Sequence, residues 1–274
     1  MSVLSKLRVI SQIDPDKLPD DVKERKKIYD GVGESRTDAI NIAGTTGVTE
    51  ELLATIGKEI SDPSTPASKG KLRIVTATTP EQAPPEALVE WLGQNLYNIV
   101  IIPAPLNTID RKSTYEWRKR WIDSFSEVKT ENKKGLPLLP NIHFVGYIFL
   151  NPDATSTRIV GADVERGKEK IEEYVEESLR WTEACYLESS GVYGDPNLVR
   201  RAKKHAVDLG YPNFPIIYGG AINTVERGVE MRDAGTVYLD EEKKTPSCSV
   251  LVLGDIIHKG LKMHSKIVEV IKTI

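Results

Sequence analysis

The chain has 274 residues, 39% hydrophobic and 28% charged, with a formal net charge of −3, 20 glycines, 16 prolines and 2 cysteines. That balance excludes a disulfide-stapled scaffold, a disordered chain and a polybasic nucleic-acid coat or membrane anchor, and leaves one or two domains around a sizeable core. Mean hydropathy is −0.32 and no apolar run nears the roughly 20 residues of a membrane span; the opening MSVLSKLRVISQIDPDK lacks signal-peptide character, so a reducing cytoplasm is the expected setting.

Short β-branched runs recur along the chain. The first three cover residues 7–13 (LRVISQI), 38–43 (DAINIA) and 72–77 (LRIVTA), with a helix expected over 49–60 behind an N-capping Thr49. Runs follow at 98–103 (NIVIIP) and 142–150 (IHFVGYIFL). A helix over 163–181 stripes Ile171, Tyr174, Val175, Leu179 and Thr182 onto one face. The sixth run is 184–188 (ACYLE), and Asp195-Pro196 opens a helix over 196–209. Runs at 215–218 (PIIY) and 249–253 (SVLVL) and an amphipathic helix over 259–274 complete the pattern. The runs are nearly continuous in apolarity, as strands covered on both faces of a parallel sheet are. Eight of them alternating with helices predict an α/β (β/α)8 TIM barrel, one domain over 1–274, with a doubly wound open sheet as the alternative. Residues 61–71, 79–85 and 130–140 are expected as surface connections, and 240–247 as an insertion before the last strand.

In such a barrel the active site lies at the C-terminal ends of the strands. There the sequence places Asp14-Pro15-Asp16-Lys17, Gly44-Thr45-Thr46-Gly47, Pro105-Leu106-Asn107-Thr108, Asn151-Pro152-Asp153, Glu188-Ser189-Ser190-Gly191, Gly219-Gly220 and Gly254-Asp255. The glycines after the last two strands suit backbone binding of a phosphate, or simply tight turns. Asp14 suits a magnesium ligand or an Asp-Pro turn; Glu188 suits a general base or a salt-bridged rim carboxylate. Cys185 and Cys248 fit small core residues, and His143, His205, His258 and His264 lack zinc-ligand spacing. Trp117 and Trp121, four apart on a basic helix, fit core packing, an interface, or the lining of a tunnel for a greasy ligand.

Seven stretches in order carry a resemblance: IDPDK at 13–17, TDAINIAGTTGV at 37–48, PLNT at 105–108, GYIFLNPD at 146–153, YLESSGVYGDP at 186–196, YGGAI at 218–222 and VLGDIIHKG at 252–260. Through them the chain resembles the geranylgeranylglyceryl phosphate synthase family of archaeal and bacterial prenyltransferases, which includes the PcrB proteins. The resemblance implies Mg²⁺-dependent transfer of a polyprenyl group, farnesyl to geranylgeranyl in length, from its diphosphate to a hydroxyl of a phosphorylated three-carbon acceptor. It implies Glu188 as base helped by Tyr186, and Asp14 as metal ligand. Gln12, Thr45, Thr46 and Asn107 would hold the prenyl diphosphate, and Ser190, Gly191, Gly219, Gly220, Gly254 and Asp255 the acceptor phosphate. Trp117 and Trp121 would line the prenyl tail. A homodimer and a peripheral membrane contact come with it; nucleic acid does not.

Three positions depart from the family pattern. Gln12 stands where a lysine is usual, Ala221 ends a glycine triplet, and Asp255 replaces an asparagine. They fall mainly at the acceptor end, so the acceptor is expected to be sn-glycerol 1-phosphate or, as in the moenomycin-type branch, 3-phosphoglycerate taking farnesyl. A sugar-phosphate enzyme on the same barrel, or a non-catalytic phosphate-binding relative, are the competing classes.

Overall fold

A computed structural model describes residues 2–44, 46–128, 141–239 and 246–273. Thr45, the 130–140 connection and most of the 240–247 insertion therefore lie outside the described residues.

The eight runs become eight parallel strands: β1 (Val9–Ile13), β2 (Ala39–Ile42), β3 (Leu72–Thr76), β4 (Ile99–Pro105), β5 (Ile142–Phe149), β6 (Ala184–Ser189), β7 (Ile216–Gly220) and, last in the chain, β10 (Val250–Leu253). They close in sequence order, with β10 pairing both β7 and β1. The remaining strands, β8 (Thr236–Tyr238) and β9 (Pro246–Cys248), form an antiparallel pair outside the barrel. The helices are α1 (Val22–Glu34), α2 (Glu50–Ser61), α3 (Pro85–Gly93), α4 (Arg111–Glu127), α5 (Thr155–Val160), α6 (Val164–Glu169), α7 (Ile171–Trp181), α8 (Pro196–Asp208), α9 (Val225–Ala234), α10 (Asp255–Lys259) and α11 (Leu261–Ile271). The expected N-caps act as such: Thr49 accepts from Leu52 N–H at 3.2 Å, and Asp195 from Asn197 N–H at 2.8 Å.

Side chains alternate across each strand, so one series faces the barrel axis and the other the helices. Ile10, Ala39, Ile74, Ile99, Ile101, Val145, Ala184, Ile217 and Val250 fill the lower barrel, and Leu4 and Leu7 pack beneath them. The opposite series, with Leu187, Ile216, Leu251, Val75 and Val100, packs under α7, α8 and α11 on one side and α2 and α3 on the other. The barrel is thus plugged from below and open only at the strands' C-terminal ends.

Several expectations are corrected. The helix over 163–181 breaks at Lys170 (φ −108°, ψ 31°), leaving α6 and α7; Ile171, Tyr174 and Val175 are still its buried face. The last helix starts earlier, at Asp255, and breaks at Gly260. The 61–71 segment is more than a surface connection: Thr65 and Ala67 are buried, and Pro66 and Ala67 press against Gly33 of α1 so closely that a Cβ there would overlap them. Cys185 is core, but Cys248 sits half-buried in β9. Among the described residues no three His, Cys, Asp or Glu side chains converge to hold a metal.

Candidate functional site

Strand parity decides what faces the open end. Continuing the inward series upward brings Gln12 and Asp14 from β1, Ala43 from β2, Thr76 and Thr78 from β3, and Pro103 and Pro105 from β4. Tyr147 and Phe149 come from β5, Tyr186 and Glu188 from β6, Gly219 from β7, and Val252 and Gly254 from β10. All line one cavity of about 670 Å³. A second open groove, between α1 and α11, has mixed charges and lies away from these strand ends.

One wall is aromatic. Tyr147 and Tyr186, paired across β5 and β6, stack with centroids 4.4 Å apart and planes 5° apart, and Phe149 lies 6.0 Å from Tyr147. The opposite wall is a chain of hydrogen bonds. Thr76 Oγ1 donates to Asn41 Oδ1 (3.0 Å), Asn41 Nδ2 to Gln12 Oε1 (3.4 Å) and Gln12 Nε2 to Asp14 Oδ1 (3.3 Å). Lys17 Nζ then donates to Asp14 Oδ2 at 2.5 Å and to Asp255 Oδ1 at 2.9 Å. Gln12 suits this place because an amide can accept from Asn41 and donate to Asp14 at once, which an ammonium cannot. Partial burial works against the Lys17 charge, yet the hydrogen bonds to Asp14 and Asp255 outweigh it and raise the Lys17 pKa above its ordinary value. Burial likewise opposes ionisation of Asp255, and Lys17 more than offsets it, holding that carboxyl below its ordinary value.

Glu188 stands apart from this pairing. It is 7% exposed, and its Oε1 accepts from the Ser190 backbone N–H at 3.0 Å. Burial pushes its pKa up to about 7; the Ser190 hydrogen bond pulls the other way and the Asp14 charge adds a smaller push. It is therefore poised to gain or lose a proton near neutrality, and no salt bridge to it occurs among the described residues.

The other expected residues divide. Thr46, Ser190, Gly191, Gly220, Asp255 and Trp117 line the cavity. The Ser190 amide, however, is already engaged by Glu188. Glycine at 219 and 220 makes room for tyrosines, since a Cβ would overlap the hydroxyl of Tyr186 or Tyr218; at Gly254 the nearest atom would be 3.8 Å away, so that backbone is open. Two residues are not brought to the cavity. Asn107 is fully buried: its Nδ2 donates to the carbonyls of Phe149 and Asp163 at 2.9 Å each, and its Oδ1 accepts from Phe149 N–H at 2.9 Å. Trp121 is also fully buried, packed beside Phe125 at 5.8 Å in the helix-facing core. Strand ends alone do not single out Thr76, Pro103, Tyr147 or Phe149 as cavity residues; alternation within the runs is the signal that finds them.

A model of the PcrB family matches residues 118–239. A geranylgeranylglyceryl phosphate synthase of Methanoregula boonei is 28% identical over 248 residues, covering 88% of this chain and 93% of its own. A heptaprenylglyceryl phosphate synthase of Geobacillus kaustophilus is 28% identical over 233 residues, covering 84% and 83%. Over most of its length the chain is similar to proteins of the PcrB and geranylgeranylglyceryl phosphate synthase family. In fold it matches the (S)-3-O-geranylgeranylglyceryl phosphate synthase of Thermoplasma acidophilum, crystallised with its substrate sn-glycerol-1-phosphate, at a TM-score of 0.71 and 19% identity over 100% of both chains. Within this barrel, Asp14 is chemically suited to Mg²⁺, which takes one or two carboxylates and completes its coordination with water and substrate phosphate. Its side chain is 16% exposed on the cavity wall and already accepts from one cation, the Lys17 ammonium.

Proposed function

We propose that this barrel is a prenyltransferase joining a polyprenyl group, from its diphosphate, to a hydroxyl of a phosphorylated three-carbon acceptor, with release of diphosphate. The observation that carries the reading is the buried Glu188 carboxyl, with its pKa near 7, set between an aromatic wall and an open glycine-rich rim. An allylic carbon gains cationic character as its bond to diphosphate stretches, and the acceptor hydroxyl must lose a proton as it attacks. Glu188 takes that proton, and the stacked Tyr186 and Tyr147 hold the carboxylate's wall fixed and dry. Asp14, with Thr46 nearby on the rim, would hold Mg²⁺, which supplies charge neutralisation for the departing diphosphate. Thr76, Asn41 and Gln12 orient Asp14 through their hydrogen bonds. The open backbone at Gly254, with Gly191, Gly219 and Gly220, lies where the acceptor phosphate would sit. Trp117, Phe149, Pro103 and Pro105 give the prenyl chain an apolar path.

The acceptor in this reading is sn-glycerol 1-phosphate. Asp14, Asp16, Asp153, Glu188 and Asp255 line the cavity against Lys17 alone among its described cations, which disfavours the additional carboxylate of 3-phosphoglycerate. The whole chain acts as one barrel domain of a cytoplasmic homodimer; no helix among the described residues is long and apolar enough to cross a membrane. Incubation with farnesyl or geranylgeranyl diphosphate, Mg²⁺ and each acceptor, with products identified by mass, tests it. An ether product with glycerol 1-phosphate is expected; none with either acceptor overturns the function, and a product only with 3-phosphoglycerate overturns the acceptor assignment.

A further inference from the structure

The mouth of the cavity already holds a cation of its own. Lys17 ends the short turn after β1, and its Nζ donates to Asp14 Oδ2 at 2.5 Å and to Asp255 Oδ1 at 2.9 Å. The acceptors come from different elements, the end of β1 and the start of α10, so one ammonium ties the two together. The other oxygen of Asp14 is engaged as well, since Oδ1 accepts from Gln12 Nε2 at 3.3 Å. A divalent cation and an ammonium on one carboxylate oxygen repel each other strongly. Of the two partners of Asp14, Lys17 is the one free to give way. Its side chain is 45% exposed and ends in a compact ammonium on a flexible stem, whereas Gln12 is tied through Asn41 to Thr76. An ammonium has three donors, and the two bonds named here leave the third for the cavity. Lys17 is also the one cation among the described residues that line this cavity.

We infer that Lys17 is a binding group for the diphosphate, masked by Asp14 in the free protein and released toward the substrate when a divalent cation takes Asp14. Asp255 is the positioning residue: it keeps the released ammonium at the mouth, so the entering cation adds to the positive charge there instead of replacing it. The identity of the substrate rests on the prenyl-transfer reading; the exchange at Asp14 is a property of the free protein. Cation and diphosphate then assist each other, because the cation frees Lys17 and Lys17 holds diphosphate oxygens beside the cation. Asp16 also lines the cavity but makes no bond to Lys17, so it contributes only to the general field of an acidic mouth.

Two affinities of the full chain decide it, neither of which needs turnover: Mn²⁺ alone, followed by water-proton relaxation, and inorganic diphosphate at saturating Mg²⁺, followed by calorimetry. Lys17→Met removes both the competitor for Asp14 and the diphosphate ligand. It should bind Mn²⁺ about tenfold more tightly and diphosphate with Mg²⁺ about tenfold more weakly, a pair of opposite shifts that a distorted site would not produce. Lys17→Gln serves if Lys17→Met melts early. Asp255→Asn leaves Lys17 with Asp14 as its partner and should bind Mn²⁺ about tenfold more weakly. Asp16→Asn removes the same charge from the same cavity and should stay within about twofold of the unaltered chain. Mn²⁺ binding by Lys17→Met that is no tighter than in the unaltered chain, unchanged diphosphate binding, or equal losses in Asp255→Asn and Asp16→Asn each overturns the inference. Absence of any ether product from the unaltered chain would instead overturn the function, with the two affinities still deciding the exchange.

Discussion

In the proposed reaction Glu188 is the base, and its burial makes that role testable by pH. Its ordinary pKa of 4.5 rises to about 7 in the fold. A base must be deprotonated to act, so turnover should climb with pH through about 7 and then level off. The same shift acts on stability. Between 4.5 and about 7 the native carboxyl keeps a proton that the unfolded chain has released, so the native state binds more protons and stability falls as pH rises. Glu188→Gln should therefore lose on the order of 10²–10⁴ in turnover, lose the rising limb of the pH profile, and melt higher than the unaltered chain above pH 7 but not below 4.5. A variant with near-normal turnover would remove Glu188 from the base role. At this scale much was legible: Asp14 and Glu188 end apolar runs, and an acidic side chain in that place has few uses. Asn107 looked the same in one dimension and is different in three. The chain leaves β4 at Pro105 and turns toward α6, so the Asn107 side chain closes backbone gaps instead of facing the cavity.

At the scale of elements, the strands were legible because both faces of each are covered, which leaves continuous β-branched runs. Helices were less so. α1 is rich in Lys and Glu and carries Gly31 and Gly33, and the reason for Gly33 lies in the buried 66–67 turn, invisible along the chain. The break at Lys170 follows from how α6 must reach Asn107: Gly167 lets the Asn107 amide come close, where a Cβ would meet Nδ2 at 2.5 Å. Asn107 is thus a clamp between β4, β5 and α6. Asn107→Ala would strand the Phe149 N–H and two carbonyls and should cost about 3 kcal/mol, seen as a lower melting temperature with KM for the prenyl diphosphate unchanged. A raised KM with unchanged melting would return it to the substrate. The rim glycines make a paired test on β7 and β10. Gly219→Ala forces the Tyr186 ring off Tyr147 and should cost about 1–3 kcal/mol as well as turnover. Gly254→Ala has room, with its nearest neighbour 3.8 Å away, and should leave melting unchanged while raising KM for the acceptor. Equal melting of the two variants would contradict this account.

For the molecule as a whole, closure of eight strands came from counting runs, whereas the balance of charge inside the mouth could not be read from a net charge of −3. Five carboxylates and Lys17 line the cavity, and Lys17 is bound to two of them. Two anionic substrates entering such a mouth meet repulsion that fixed backbone amides alone cannot reverse. In the proposed reaction a divalent cation on Asp14 would serve binding as well as leaving-group departure. The fold itself is held by apolar clusters on the two faces of the strands. Chelation with EDTA should therefore abolish turnover and weaken retention of prenyl diphosphate while leaving the melting temperature unchanged, and added Mg²⁺ should restore both functions. A melting temperature that collapsed with chelation would make the metal structural, and full turnover in EDTA would mean that Lys17 leaves Asp255 to neutralise the diphosphate by itself, a role that Lys17→Met would then expose.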